Sequence, residues 1–194
     1  MEITTDLIKQ LRDATGVSVM QCKKALVEAG GDMEKALVIL RKASSSIAAK
    51  KADRELNAGI VASYIHSTQT VGATLILECE TDFVAKNPEF IALGKDVAMH
   101  IVASAPLFLS PEDVTEADTA KAKEVFAGEA EGKPEALRAT IIEGKLKTYL
   151  SEKILLEQPF IKEPEITVRA LIERATQKFG EKIAIREFRR FSVR

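Results

Sequence analysis

The sequence has no tryptophan, two tyrosines, two histidines and two cysteines in 194 residues. Two thiols cannot form the framework of a disulfide-stapled domain, and their scarcity fits a reduced, cytoplasmic setting. The two histidines, His66 and His100, have no metal-ligating partner at a recognisable spacing, which predicts no metal site. Both are read as structural or surface groups. No run approaches the roughly 18 apolar residues of a membrane span. The opening MEITTDLIKQL lacks the basic-then-apolar layout of a secretory signal. Charge of one sign is missing too: the formal net charge is −1, which argues against a general nucleic-acid binder.

What is present suffices for a core, since 46% of the residues are hydrophobic. Charge is also sorted along the chain. Arg41, Lys42, Lys50, Lys51 and Arg54 face only Asp53 in one run, residues 112–135 are acidic, and the end from Lys182 is basic again. Solvated surfaces explain such runs.

Periodicity predicts three short helices at the start. Ile3, Leu7, Ile8 and Leu11 repeat at helical spacing behind Thr4 or Thr5 as N-cap, and Thr15-Gly16 stops the first helix. Ser18 and Gln21 have the spacing of a reciprocal capping box, followed by the stripe Val19, Cys22, Leu26 and Ala29. Gly30-Gly31 ends the second helix and Asp32 caps a third, with Met33, Ala36, Leu37 and Leu40 inward. The Ala-, Ser- and Lys-rich stretch KASSSIAAKKADREL then reads as a linker with helical leanings.

Two strands follow. Ile60, Ala62 and Tyr64 alternate with Val61, Ser63 and Ile65, and Leu75, Leu77 and Cys79 share a face, with a hairpin loop around Thr68-Gln69-Thr70. Asn87-Pro88-Glu89 opens a helix whose face is Phe90, Gly94, Val97, Ala98 and Ile101. Ser110-Pro111 repeats that opening, and Gly132-Lys133-Pro134 opens a helix carrying Ile142, Leu146, Tyr149, Leu150 and Ile154. Pro159 and Pro164 break the chain. A helix near residues 168–179 leads through Gly180 to a last strand. Its apolar phase slips between Ile185 and Phe188, as a bulge would make it; Phe188 and Phe191 are expected to pack on helices with Arg189 and Arg190 toward water. The fold class expected is α+β: a three-helix domain over 1–43, a helical linker over 44–56, and a core over 57–194 with a three-stranded antiparallel sheet packed with helices.

No catalytic constellation emerges. The glycines do not form a phosphate loop, no carboxylate pair stands out, and Cys22 and Cys79 sit on apolar faces as small hydrophobes. The residue without a clear place is Phe83, between strand and helix in CETDFVAKNP. On spacing alone, folding back under the next helix is the stronger reading, and burial is worth about 1.5–3 kcal/mol wherever it occurs.

Three stretches in order resemble the elongation factor Ts family in its short form, end to end. They are LRDATGVSVMQCKKALVEAGGDMEKALVILRK (Leu11–Lys42), ETDFVAKN (Glu80–Asn87) and LLEQPFIKEP (Leu155–Pro164). The family commonly reads Thr-Gly-Ala-Gly-Met-Met-Asp-Cys-Lys in the first turn; here it is Thr15 to Lys23 with Val17, Ser18, Val19 and Gln21, which keeps an apolar pair at Val19 and Met20. The resemblance implies a guanine nucleotide exchange factor for the GTPase elongation factor Tu, with no catalytic group or cofactor of its own and no direct contact with nucleic acid or membrane. It implies that Arg12, Val19, Met20 and Lys23 dock on the GTPase domain. It also implies that the Thr81-Asp82-Phe83-Val84 loop reaches the nucleotide site, with Asp82 anchoring the loop and Phe83 wedged between partner helices so that Mg²⁺ is dislodged. That reverses the reading of Phe83. Short members of the family can also pair through their core sheets, so the resemblance leaves both a homodimer and a monomer open. A rival reading is an adaptor: the N-terminal helices resemble a ubiquitin-associated (UBA-like) domain, although Gly16-Val17-Ser18 stands where ubiquitin binders carry Met-Gly-Phe. A second rival is a thiol enzyme using Cys22.

Overall fold

The computed structural model describes residues 3–130 and 134–193. The chain opens with α1 (Thr5–Thr15), α2 (Val19–Glu28) and α3 (Met33–Lys50). Each begins where a side chain takes up an otherwise unpaired amide. Thr4 Oγ1 accepts from Leu7 N at 3.3 Å, Ser18 Oγ from Gln21 N at 3.4 Å, and Asp32 Oδ1 from Lys35 N at 3.1 Å. The capping box at Ser18 is only half made, because Gln21 Oε1 accepts from the Ser18 hydroxyl at 3.1 Å rather than from its amide. Gly16 closes α1 at φ +68°, a left-handed turn that glycine adopts without penalty. Leu11, Val17, Cys22, Leu26, Ala36 and Leu40 form the core of this module. Val19, expected in the buried stripe, is exposed instead, and Val17 in the preceding turn fills that place.

The stretch read as a linker is helical as far as Lys50, because nothing from Met33 to Lys50 is a glycine or proline. Its small residues allow close approach to α8 (Val168–Phe179). Ser44 is buried there, donating to Gln177 Oε1 with the Leu40 carbonyl 3.0 Å away.

The main sheet is antiparallel, ordered β1 (Ala58–Ile65), β2 (Val71–Cys79), β5 (Ala184–Ser192). The β2–β5 register shifts where Ile76 faces Glu187 and Leu77 faces Ile185, leaving Arg186 as the extra residue of the bulge that the apolar phase slip predicts. One face carries Ala73, Leu75, Leu77, Cys79 and Ile185 into the core. Against it lies α5 (Pro88–Ser104), capped by Asn87, with Phe90, Val97, Ala98 and Ile101 inward. A Cβ at Gly94 would meet Ala62 Cβ and Ile60 Cδ1 at 2.9 Å, so glycine here lets α5 sit close on β1. The last strand departs from expectation in one respect. Phe188 is packed on the core, but Phe191 is exposed opposite Gly72; Arg189 and Arg190 are exposed as expected, Arg190 donating through Nε to the Val102 carbonyl.

Ser110-Pro111 opens only a single 3-10 turn. The helix α6 (Glu116–Ala130) starts later, where Thr115 and Asp118 form the reciprocal bonds of a capping box. It pairs with α7 (Glu135–Lys153), Phe126 meeting Tyr149 edge-on at 5.9 Å; Gly132 and Lys133 of the expected opening lie outside the described residues. Pro159 and Pro164 do not simply interrupt the chain. They lie in a small hairpin of β3 (Pro159–Phe160) and β4 (Glu163–Thr167), where edge positions tolerate a missing amide. Buried His100 holds this hairpin: its Nε2 donates to Gln158 Oε1 at 2.9 Å and its Nδ1 accepts from Ile161 N at 3.3 Å.

Candidate partner-binding site

Between β2 and α5 the chain makes one helical turn, α4 (Asp82–Ala85). Its residues divide by face. Val84 and Ala85 are buried, whereas Phe83 is 81% exposed, the most exposed large apolar side chain among the described residues. The expectation from spacing alone, a ring tucked under α5, is therefore overturned; the next aromatic, Phe90, occupies that space and is fully buried.

Four residues are too few to sustain a helix alone, and Thr81 gives α4 no side-chain cap. The support comes from the turn between α8 and β5. Glu181 Oε2 accepts from Glu80 N at 3.1 Å and Thr81 N at 3.0 Å, and its Oε1 from the Thr81 hydroxyl at 2.6 Å. Glu80 returns the arrangement, accepting Lys182 N at 2.6 Å and Arg54 Nη1 at 3.1 Å. That amide, then Arg54, holds the Glu80 carboxyl below its usual range. Cys79 Sγ lies 3.2 Å from the Thr81 carbonyl and donates to it. Asp82 does not tie the loop to the core. It pairs with Lys86 at 2.6 Å within its own turn, both side chains in water, and that bond lowers its carboxyl from the ordinary value. Glu181, Lys182 and Arg54 escape sequence reading because they lie far along the chain from the ETDFVAKN stretch that contains Glu80 and belong to no motif themselves.

On the N-terminal module, Arg12, Val19, Met20 and Lys23 are all exposed around the α1–α2 turn. Met20 stands at 75% exposure and Val19 at 49%, an apolar pair beside two cations. Arg12 lines a cleft of about 770 Å³ between this module, α5 and α8, where Lys178 reaches Glu89 at 2.7 Å. Val19, Met20 and Lys23 are outside that cleft.

Burial raises the thiol pKa of Cys22, and that of Cys79 with help from the Glu181 charge, so neither is a thiolate nucleophile at neutral pH. No group of three His, Cys, Asp or Glu side chains is placed to hold a metal among the described residues, and no described helix is long and apolar enough to cross a membrane.

The family model for Elongation factor TS matches residues 2–194. Elongation factor Ts of Thermodesulfovibrio yellowstonii is 47% identical over 194 residues, spanning 100% of this chain and 97% of the relative. The Elongation factor Ts of Thermosipho melanesiensis is 45% identical over 193 residues, spanning 98% of each, and that of Desulforamulus reducens is 45% identical over 194 residues, spanning 99% and 89%. The chain belongs to the elongation factor Ts family of translation elongation factors.

Proposed function

We propose that this chain binds the GDP-bound form of elongation factor Tu in the cytoplasm and speeds GDP release without chemistry of its own. The observation that carries the reading is Phe83, 81% exposed on a turn whose Val84 and Ala85 are buried. Leaving that ring in water forgoes about 1.5–3 kcal/mol, which a hydrophobic slot in a partner would return. In this reading the Thr81–Val84 turn approaches the nucleotide site. Val84 seats the turn from beneath, and Phe83 enters between partner helices and disturbs the groups holding Mg²⁺. A diphosphate with less of its charge neutralised leaves faster. Arg12, Val19, Met20 and Lys23, in the module over residues 1–43, dock on the GTPase domain.

Magnitudes require both contacts. A ten-thousandfold faster release corresponds to about 5.5 kcal/mol, while one hot-spot residue supplies about 2–4 kcal/mol. The N-terminal module must therefore contribute binding energy as well. Release of labelled GDP from elongation factor Tu tests the reading. Phe83→Ala is expected to lower the maximal stimulation by about thirtyfold to several hundredfold while docking persists. Unchanged stimulation refutes the wedge.

The outer face of the main sheet supports a second element of the proposal, a homodimer. Val61, Ile65 and Phe191 are exposed there, with half-buried Ile76 among them. Cross-strand pairing gathers them on one surface.

A further inference from the structure

We infer that Glu181 is a positioning residue for exchange, because its carboxylate gathers the Glu80 and Thr81 amides and the Thr81 hydroxyl and thereby sets where Phe83 is presented. The inference rests on the reading of Phe83 as the wedge. An exposed ring can act as a wedge only if its backbone stands in one place when the partner arrives. The turn itself cannot provide that: α4 has four residues, no side-chain cap from Thr81, and its internal ion pair Asp82–Lys86 lies in water.

Glu181 supplies the missing acceptor from 100 residues away. Gly180, at φ +72°, ends α8 and turns the chain so that Glu181 faces the β2 end. A charged oxygen shared by two backbone amides, with the second oxygen on a hydroxyl, orients the chain more strongly than neutral bonds would. The two segments also grip each other, since Glu80 accepts the amide of Lys182.

The same turn holds the chain that follows α3. Lys51 Nζ donates to the Gly180 carbonyl at 2.7 Å, and Lys182 Nζ to the carbonyls of Ala52 at 2.6 Å and Arg54 at 2.9 Å. Arg54 then reaches Glu80. The Phe83 turn and the chain leaving the N-terminal module are thus fastened to one three-residue turn. Glu181 is the only side chain of that turn bonded directly to the Thr81 backbone among the described residues.

Glu181→Ala and Glu181→Gln test this in the full chain. Gln retains one acceptor oxygen and turns an amino group toward the remaining donors, so it folds in a similar shape and carries the measurement if the Ala variant does not fold. The amides of residues 80–85 in the free variants are expected to exchange hydrogen about tenfold faster. If the presented conformation falls to a tenth of its population, the maximal rate of GDP release from elongation factor Tu falls about tenfold. The concentration for half-maximal stimulation shifts by less than about twofold, because docking through the N-terminal module is intact. A residue needed only for folding would move these quantities together. In a Phe83→Ala background, replacing Glu181 is expected to have no further effect.

Unchanged amide exchange at 80–85, or the same loss of rate with and without Phe83, overturns the assignment. Impaired release in Phe83→Ala beside full release in the Glu181 variants overturns it while leaving the wedge. Full release in Phe83→Ala removes both.

Discussion

Acid is expected to loosen this protein through His100 before it reaches the carboxyls that hydrogen bonds hold low. The ring is fully buried, and the bonds around it define its charge state. Gln158 Nε2 donates to the Glu152 carbonyl at 2.7 Å, so Gln158 Oε1 is the acceptor and His100 Nε2 carries the proton. Nδ1 then accepts from Ile161 N. Adding a second proton would set one N–H against another at a ring that the surrounding side chains cover completely. Burial accordingly lowers the pKa of His100 from its ordinary 6.5. Below about pH 6.5 the unfolded chain takes up a proton here more readily than the folded one. Stability from this group is therefore complete above the unfolded value and is lost as pH falls below it. One proton limits the slope to about 1.4 kcal/mol per pH unit, so the loss between about pH 7.5 and 5.5 is at most about 1.4 kcal/mol. For a chain of this length that is a fall in Tm of at most about 3–6 °C. The carboxyls held low, among them Glu80, Asp82 and Asp118, respond only below their ordinary 4.5 and 3.8. Glu173, raised by burial, acts in the opposite direction, favouring the folded state as pH falls. Urea unfolding of the parent and of His100→Gln at matched pH isolates the ring. The variant should be less stable at neutral pH and flatter across the window. Parallel pH profiles for the two proteins would refute the neutral, doubly bonded assignment.

Other perturbations separate surface from core. Phe90→Ala, at a fully buried ring touching Phe179 edge-on at 6.0 Å, should cost about 3–5 kcal/mol in urea unfolding, whereas Phe83→Ala should stay within about 0.5 kcal/mol. Comparable losses would mean that the two rings have been given the wrong environments. If the outer sheet face pairs two copies, Val61→Glu with Phe191→Glu should convert a dimer to a monomer in sedimentation at micromolar concentration. A parent protein that sediments as a monomer at the same concentration would defeat that part of the proposal.

Much of the architecture was legible because its signals are local. Thr4, Ser18 and Asp32 mark helix starts through bonds three residues long, and the phase slip after Ile185 marks the bulge at Arg186. Local signals also misled. Ser110-Pro111 has the form of a helix start, yet Thr115 and Asp118 form the better cap. Val19 fits the helical stripe, yet Val17 takes the core position. The hairpin around Pro159 and Pro164 was unreadable because two-residue pairing has no periodicity.

The sequence alone determined the three N-terminal helix starts, α5, α8 and the three strands of the main sheet, and its three motifs carried the family, since caps, turns and periodic faces act over a few residues. Only tertiary structure decided that Phe83 faces solvent while Phe90 takes the space beneath α5. It alone brought Glu181 to Thr81, Lys182 to Arg54 and His100 to Gln158. Those contacts join residues from 58 to 128 positions apart, and a linear pattern does not encode which distant donor meets which acceptor. Packing of helices on the sheet settles that.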